Sequence, residues 1–385
     1  MAAKVIHAFR KAAETFAQSA KTLPQKYFVS PEIFEEEQEK IFAGQWVLVG
    51  HQSQIAQAGD FFVPEIAGES LIVARDKNAE IHGFYNVCRH RGTRLCEEAS
   101  GHVAAIQCPY HAWTYGLDGR LIGAPHMDEV RSFDRNDYSL HSVKTGLWEG
   151  FIFVNLSDDA MPLDEWFAPL AGKFSDWNLP QLRSAKRVVY DVKANWKLMF
   201  ENYSECYHCP GVHPMLSKVS PYDSAENDLT EGPFLGGFMK INKGKSLTMS
   251  GEACAMQIDP PPSQSYGAAG EHENGERVFY YSIFPNMLLS MHPDYVIVHQ
   301  LWPQSPERTL ILCDWFFNPD AFGRQDFKPE DAIEFWDVTN KQDWHVCELS
   351  QQGIASRAYE PGPYSSRESI PAAWDREYLS VMDGK

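Results

Sequence analysis

The chain has 385 residues, of which 44% are hydrophobic and 13% aromatic, and its formal net charge is −18 at pH 7. This composition excludes a largely disordered protein, because disorder needs fewer hydrophobic and aromatic residues. The negative surface repels phosphate groups and anionic lipid, so we expect neither nucleic acid nor a membrane to be a partner.

The N-terminal region is predicted to be helical. Residues 2–20 are interpreted as a docking helix of the mature protein, with a transit peptide as the alternative, and Ser30 is predicted to cap a second helix. We find neither the apolar core of a secretory signal nor a run of about 20 apolar residues. Eight cysteines without such a signal predict a reducing, cytoplasmic location, where thiols are ligands or core residues rather than disulfides.

A small all-β domain is predicted from about residue 45 to residue 155. Short segments rich in β-branched and aromatic residues alternate there with Gly, Asp and Asn, which is typical of strands joined by turns. The predicted strands include residues 46–49, 61–63, 71–73 and 151–154. Asp118-Gly119 predicts a hairpin turn, because this pair tolerates positive φ angles.

Two short motifs in this domain, Cys88-Arg-His90 and Cys108-Pro-Tyr-His111, each supply one thiol and one imidazole. A zinc finger is the alternative, but it would place the two cysteines together and the two histidines together. The observed mixture suits a [2Fe–2S] cluster with two thiolates on one iron and two imidazoles on the other, the Rieske arrangement. We therefore predict that Cys88, His90, Cys108 and His111 bind such a cluster.

The cluster loops differ from those of respiratory Rieske carriers, which are braced by a disulfide. Cys96 is a candidate for one half of that bridge, but Tyr110 stands where the partner cysteine would be. An unbraced cluster favours an oxygenase. Arg91, Trp113 and Tyr115 are expected, from their positions alone, to shield the cluster.

A second, larger domain is predicted to follow. It begins with a strand at residues 188–193, continues through a loop-rich region at 216–275 that contains Pro260-Pro261-Pro262, and ends in an irregular tail from 353. Between these lie an antiparallel meander and a long helix. The predicted elements are strands 278–284, 287–291, 295–302 and 309–317 and helix 329–352.

The segment from Asn195 to Pro214 carries two histidines, His208 and His213. In a continuous helix, residues five apart lie about 140° apart and could not share an ion. Pro210-Gly211 predicts a helix end that lets both imidazoles reach one Fe(II), which also needs a carboxylate and open positions.

The carboxylate is expected from the long C-terminal helix, which offers Asp331, Asp337 and Asp343. Asp343 is preferred, because Cys347 and Gln351 follow it on the same helical face. The nearest carboxylate in sequence, Glu205, is not assigned as a ligand.

Together these residues resemble the α subunit of Rieske non-haem iron oxygenases, the aromatic-ring-hydroxylating dioxygenase and monooxygenase family. The resemblance rests on CRHRG…CPYHAW, NWK…ENYSECYH and DWHVCE. It implies an α+β fold with a small all-β Rieske domain at 45–155. A helix-grip catalytic domain with an antiparallel sheet and a long C-terminal helix occupies 156–385, and N-terminal helices at 1–44 pack on it. His208, His213 and Asp343 are implied to hold the mononuclear iron.

The resemblance also gives Glu205 a role. It implies that Glu205 hydrogen-bonds a cluster histidine of a neighbouring subunit and relays the electron, in a homotrimer closed by head-to-tail interfaces. Many relatives have Asp at this position. The pair Glu205-Cys206 is closer to members that act on quaternary ammonium compounds.

The predicted activity is that of the oxygenase component of a multicomponent monooxygenase. Electrons from NAD(P)H arrive through a reductase, with or without a ferredoxin, and O2 oxidises an N-methyl or other N-alkyl small molecule with N-dealkylation. Aromatic residues are expected to bind a quaternary ammonium by cation–π attraction. The candidates are Tyr203, Tyr280, Tyr281, Phe284, Trp302, Trp315 and Phe316, with Tyr203, Tyr281, Phe284 and Trp302 assigned to the pocket.

Two alternative functions stay open at this stage. One is hydroxylation of an aromatic compound or aromatic acid. The other is a Rieske electron-transfer protein without a catalytic iron. The sequence leaves open the substrate, the choice between mono- and dioxygenation, the reductase and the presence of a β subunit.

Overall fold

The computed structural model describes residues 7–255 and 276–384. The chain divides into two compact units, one formed by Gln38–Ala168 and the other by Met1–Glu37 together with Pro169–Lys385. The three prolines from Pro260 lie outside the described residues. The domain bounds given above stay predictions.

The N-terminal part of the larger unit is less helical than predicted. It contains strand β1 (Arg10–Lys11) and helices α1 (Ala12–Thr15), α2 (Lys26–Val29) and α3 (Pro31–Glu37). Helix-prone composition is overridden at Arg10 and Lys11, because their backbone pairs with a strand of the large sheet. The predicted cap is confirmed, since Ser30 Oγ accepts the N–H of Ile33 at 3.2 Å.

The smaller unit is built mainly of antiparallel strands. They are β2 (Val47–His51), β3 (Asp60–Phe62), β4 (Glu65–Ile66), β5 (Glu69–Arg75), β6 (Ile81–Tyr85), β7 (Ser100–His102), β8 (Ile106–Gln107), β9 (Thr114–Tyr115), β10 (Leu121–Gly123), β11 (Ser142–Trp148) and β12 (Phe151–Asn155). One sheet has the order β2-β12-β11-β6-β5-β3-β7, with β4 paired to β5, and β10-β9-β8 form a second. Helix α4 (Leu163–Trp166) follows.

One apolar core is shared by the two sheets of this unit. Ile72 and Phe84 from the first sheet and Tyr115 from the second belong to the same buried cluster, together with Cys88 and Cys108. The predicted turn is present, with Gly119 at φ +82° between β9 and β10. The cluster motifs therefore lie on loops fixed by a packed core.

The larger unit contains an eight-stranded antiparallel sheet of order β1-β14-β15-β16-β17-β18-β19-β13. The strands are β13 (Arg183–Val192), β14 (Glu226–Leu229), β15 (Phe234–Ile241), β16 (Glu276–Ile283), β17 (Met287–Met291), β18 (Val296–Ser305) and β19 (Arg308–Phe317). Its further helices are α5 (Trp196–Tyr203), α6 (Cys209–Val212), α7 (Pro329–Ile354) and α8 (Ser369–Met382). None of the helices in the described ranges combines the length and the hydrophobicity that a membrane span requires.

Two predictions for this unit are wrong. The region 216–275, predicted as loops, contains β14 and β15. Strand β15 was not predicted because it contains the Gly236-Gly237 pair, and glycine is uncommon within strands. Glycine is required there for close strand pairing, because a Cβ at Gly237 would lie 1.9 Å from the carbonyl oxygen of Glu226. The tail beyond residue 353 contains α8, whose Trp374 is buried.

The strand register decides which side chains meet. Tyr280 pairs with Ser290, and Ser282 pairs with Leu288, which in turn pairs with His299. Directly paired residues point to the same face, and neighbours along a strand point to opposite faces. Tyr280, Ser282, Ser290 and His299 therefore share one face.

Candidate metal centres and active site

The two cluster motifs adopt the same turn. The N–H of Cys88 donates to the carbonyl of Thr93, and the N–H of Cys108 donates to that of Trp113, both at 2.8 Å. In each loop the chain then reverses through a left-handed residue, at Gly92 (φ +76°) and Ala112 (φ +56°). The matched turns bring the rings of the two motif histidines to a centroid separation of 4.8 Å.

The side chains of these loops fit a Rieske cluster. The Cys88 and Cys108 thiols are buried and form no disulfide. The Nδ1 atom of His111 is buried and has no hydrogen-bond partner in the part of the chain that the structure describes. A buried imidazole nitrogen without a partner is costly unless a ligand completes it. Two thiols and two imidazoles, one of them orphaned, match the donor set of this cluster.

Aromatic residues surround the cluster motifs, as predicted from their positions. The indole of Trp113 stacks on His90, with a centroid distance of 4.7 Å and an interplanar angle of 10°. The Tyr115 hydroxyl lies 3.3 Å from Cys88 Sγ. The Arg91 guanidinium lies over the Tyr110 ring. Cys96 has a free thiol.

Helix α5 delivers the second group of residues. Asn195 caps the helix by accepting the N–H of Lys197 at 3.1 Å, and the helix ends at Tyr203, earlier than predicted. A separate turn, α6, follows. His208 immediately precedes this turn and His213 immediately follows it, which lets residues five apart face one point.

Asp343 from α7 joins these two histidines. Its Oδ1 lies 2.8 Å from His213 Nε2 and 3.2 Å from His208 Nε2, and the two Nε2 atoms are 3.2 Å apart. Two imidazole nitrogens and one carboxylate oxygen converging on one point form the donor set of a facial-triad iron site. The residues therefore fit a mononuclear Fe(II).

The other two candidate aspartates are occupied elsewhere. Asp337 accepts the hydroxyl of Tyr190 at 2.9 Å and pairs with Lys341 at 2.6 Å. Asp331 accepts the backbone N–H of Ser250 at 3.0 Å. Neither carboxylate is directed at the histidines.

The outer nitrogen of each histidine has an acceptor. His208 Nδ1 lies 2.5 Å from Glu205 Oε1, and His213 Nδ1 lies 2.8 Å from Gln342 Oε1. Such partners fix the orientation of each ring, so that each Nε2 faces the shared point, where a bound metal ion would take the place of a proton. Gln342 was missed by the sequence analysis. Its position next to Asp343 was the available signal.

The histidines and carboxylates of this site shift one another's pKa values. Burial opposes a proton on His208, but hydrogen bonds to Asp343 and Glu205 outweigh it and raise the pKa of His208 to about 10. Burial opposes ionisation of Asp343, yet the two histidines hold the pKa of Asp343 below its usual value. The negative charge concentrated there suits a divalent cation.

Cys206 and Cys209 form a disulfide beside the histidines, which corrects the expectation that thiols are not oxidised in this chain. Cys209 Sγ is 3.9 Å from His208 Nε2. Since that sulfur is bonded to Cys206, it is not available as a thiolate ligand. The pair joins positions three apart at the turn that separates α5 from α6.

A cavity of about 330 Å³ opens on the three metal-facing side chains. Aromatic rings and hydroxyl groups from the sheet, α5 and α7 form its inner wall, and Lys11 and Arg367 stand exposed at its lining. The inner residues include Tyr203, Tyr280, Ser290, His299, Trp336 and Trp344.

Only one of the four predicted pocket residues, Tyr203, lines this cavity. Tyr281 and Trp302 lie on the opposite face of the sheet from Tyr280 and His299, because neighbouring residues of a strand alternate. Phe284 follows β16 and packs near Trp374, with ring centroids 6.1 Å apart. Sequence alone did not reveal which strand face bounds the cavity.

Two family models match the chain. The model described as the ring hydroxylating alpha subunit (catalytic domain) matches residues 179–384, and the model of the Rieske [2Fe-2S] domain matches residues 45–134. The first match spans more than half of the chain. The cofactors of this family are a Rieske [2Fe–2S] cluster and a mononuclear iron, as predicted.

Characterised relatives resemble the chain over most of its length. The glycine betaine monooxygenase oxygenase subunit of Chromohalobacter salexigens is 33% identical over 371 residues, which cover 90% of this chain and 82% of that protein. The carnitine monooxygenase oxygenase subunit of Acinetobacter baumannii is 30% identical over 344 residues, with coverage of 88% and 86%.

Solved structures share the fold. The quaternary ammonium Rieske monooxygenase CntA in complex with L-carnitine superposes with a TM-score of 0.76 at 28% identity, covering 97% of both chains. Naphthalene 1,2-dioxygenase from Rhodococcus sp. gives a TM-score of 0.77 at 20% identity and 94% coverage of both, which shows the fold alone. The predicted α+β architecture is confirmed. This chain belongs to the Rieske non-haem iron oxygenases, the family of the ring hydroxylating alpha subunits.

Proposed function

We propose that this oxygenase removes an N-methyl group from a small quaternary ammonium compound. The observation that carries the proposal is the cavity beside His208, His213 and Asp343, whose inner wall holds Tyr203 and Tyr280 among other aromatic rings. Aromatic faces attract a methylated ammonium by cation–π interaction. The similarity to glycine betaine and carnitine monooxygenase oxygenase subunits supports the same substrate class.

The residues of the chain divide the work between two centres. We assign the cluster to Cys88, His90, Cys108 and His111, within a Rieske domain at 45–155. We assign the mononuclear iron to His208, His213 and Asp343, within a catalytic domain at 156–385. When bound, the cluster supplies single electrons and the iron supplies the site of O2 activation.

The overall reaction balances with two electrons. One oxygen atom of O2 enters a methyl C–H bond, and the other leaves as water with two protons and the two electrons. The resulting N-hydroxymethyl group loses its hydroxyl proton to solvent and forms a C=O bond as the C–N bond breaks with its electron pair on nitrogen, which releases formaldehyde and the demethylated amine. An oxygenase component takes these electrons from a separate donor, which we propose to be an NAD(P)H-dependent reductase in the cytoplasm.

The decisive experiment follows substrate-dependent NADH oxidation in the purified oxygenase with a partner reductase. Formaldehyde is assayed with trimethylammonium compounds, and hydroxylated products with aromatic acids. Formaldehyde formation in proportion to NADH consumed is the expected result. Turnover of an aromatic ring, with no formaldehyde from any N-methyl compound, would contradict the proposal and favour ring hydroxylation.

We further propose a homotrimer in which Glu205 relays the electron between subunits. One similar structure, of a quaternary ammonium Rieske monooxygenase, is described as revealing inter-subunit electron transfer in that protein. The test co-expresses Cys108→Ala chains, which lack the cluster, with His213→Ala chains, which lack the iron. Each variant alone is expected to be inactive and the mixture partly active. An inactive mixture of folded, assembled chains would argue against transfer between subunits.

A further inference from the structure

His299 is a buried histidine that the metal centres leave unused. It lies on β18, is 2% exposed, and lines the cavity. Its ring centroid is 6.3 Å from that of Tyr203 and 6.0 Å from that of Trp344, which also line the cavity. Across residues 7–255 and 276–384, neither ring nitrogen forms a hydrogen bond of ordinary geometry.

Such an imidazole is unfavourable without a partner. An unsatisfied buried polar group costs about 1–3 kcal/mol, and an aliphatic side chain would avoid that cost beside its strand partners Leu288 and Cys313. Another buried histidine of the chain, His51, has a partner in Ser53, with Nδ1 and Oγ 2.9 Å apart. His299 differs from the equally unpaired His292 in lining the cavity, where a bound molecule can supply the missing partner.

The electrical state of His299 suits a cationic substrate. Burial lowers the pKa of His299 to about 4, and Asn340 and Asp343 offset this only in part. The imidazole is neutral near pH 7, so it presents one N–H donor and one lone pair without repelling an ammonium group.

Other polar side chains line the same cavity as this imidazole. Tyr203 Oη and Ser290 Oγ are 2.8 Å apart and share a hydrogen bond, and Ser282 and Asn340 also line the cavity. Aromatic faces for the methyl groups thus stand beside hydrogen-bonding groups for an oxygen atom. A tetramethylammonium-like ion would offer no hydrogen-bond partner to the ring nitrogens of His299, which have none among the described residues.

We propose that His299 is a specificity-determining residue that donates a hydrogen bond to the oxygen-bearing group, carboxylate or hydroxyl, of an N-methylammonium substrate. The inference rests on the proposed function and deepens it. His299 thereby favours trimethylammonium compounds with an oxygen atom a few bonds from nitrogen over purely aliphatic ones.

The test is anaerobic calorimetric titration of the resting, iron-loaded enzyme with three probes. Glycine betaine offers a carboxylate, choline a hydroxyl, and propyltrimethylammonium replaces that hydroxyl by a methyl group. His299→Leu removes the hydrogen-bonding groups, and His299→Gln retains a donor and an acceptor. Iron content and the visible spectrum check that each variant keeps both centres.

His292 offers a matched control. It is fully buried, and neither of its ring nitrogens has a partner among the described residues, but it lies outside the cavity and stacks on Tyr295 at 4.1 Å. His292→Phe keeps that stacking. It is expected to leave the affinity for each probe within about twofold of wild type.

His299→Leu is expected to weaken binding of the preferred oxygen-bearing probe by about 10- to 100-fold, the equivalent of one lost hydrogen bond to a charged or polar group. Binding of propyltrimethylammonium should change less than about threefold, and His299→Gln should recover part of the loss. The probe whose affinity falls more in His299→Leu identifies the substrate group that His299 binds, a carboxylate for glycine betaine or a hydroxyl for choline.

An equal loss for all three probes, or no loss for any, would overturn the role of His299. Failure of every N-methyl probe to bind the wild-type enzyme would instead contradict the proposed function, and this inference with it.

Discussion

Glu205 Oε1 lies 2.5 Å from Nδ1 of His208, within the same chain. The other oxygen of this carboxylate accepts the backbone N–H of His208 at 3.2 Å, and its side chain is 11% exposed. The carboxylate thus orients a metal-facing imidazole, in addition to the relay role proposed for it.

Glu205→Gln is expected to keep both metal centres and to reduce turnover by orders of magnitude. The amide oxygen can still accept from His208, while the negative charge needed to hold a second, cationic or N–H-bearing partner is lost. The measurement is substrate-dependent NADH oxidation together with iron analysis. Loss of the mononuclear iron from this variant would instead make Glu205 a ligand and put Asp343 in doubt.

Asp343→Asn is expected to lose the mononuclear iron and retain the visible absorption of the cluster. Among the residues that the structure describes, Asp343 alone places a carboxylate oxygen close to both histidines. Asp337→Asn, on the same helix, is the matched control. Its carboxylate bonds Tyr190 and Lys341, so iron content should not change. His213→Ala should resemble Asp343→Asn. A fully iron-loaded His213→Ala enzyme would exclude the proposed site.

Gln342→Leu is expected to weaken Fe(II) binding by about 10- to 100-fold, a typical effect of removing the group that orients a metal-binding histidine. Gln342 Oε1 accepts from His213 Nδ1 at 2.8 Å. Gln342→Glu keeps an acceptor at this position and should bind iron more tightly than Gln342→Leu. Competition with a chelator gives the affinities. Equal Fe(II) affinities for Gln342→Leu and Gln342→Glu would show that the hydrogen bond from His213 Nδ1 does not contribute to iron binding.

Tyr203→Phe and Tyr281→Phe form a pair that tests which strand face bounds the substrate. Tyr203 Oη contacts Ser290 inside the cavity, whereas Tyr281 Oη donates to Asp228 outside it. Tyr203→Phe should alter KM for the N-methyl substrate. Tyr281→Phe should leave KM unchanged and lower the free energy of unfolding by about 1 kcal/mol. A changed KM in Tyr281→Phe alone would reverse the assignment.

The metal-facing residues were predictable because their chemistry leaves local patterns. Cys88 and His90, or His208 with the Pro210-Gly211 break, are readable without knowing the fold. Asp343 was predicted from the helical face that it shares with Cys347 and Gln351. Both of these residues contact the region of α5. Cys347 Sγ donates to the carbonyl of Leu198 at 3.6 Å, and Gln351 Oε1 accepts the N–H of Asn195 at 2.9 Å.

The substrate wall was not predictable, because it depends on strand register. A shift of one residue exchanges the two faces of a strand, so Tyr281 and Tyr280 are equal candidates in sequence. The Gly236-Gly237 strand was missed for a related reason. Glycine argues against a strand locally, and only the close approach of Glu226 accounts for it.

The bond between the Gln351 side chain and the N–H of Asn195 has an evolutionary consequence. This hydrogen bond links the start of α5 to α7 at a point about two turns beyond Asp343. A second hydrogen bond links the same regions, because Glu348 accepts the N–H of Lys193 at 3.0 Å. His213 and Asp343, which are 130 residues apart in the chain, are thus held in place by two helical segments that are hydrogen-bonded to each other. Insertions and substitutions in the intervening strands can reshape the cavity for new substrates, while the hydrogen bonds between α7 and the start of α5 keep the iron ligands in place.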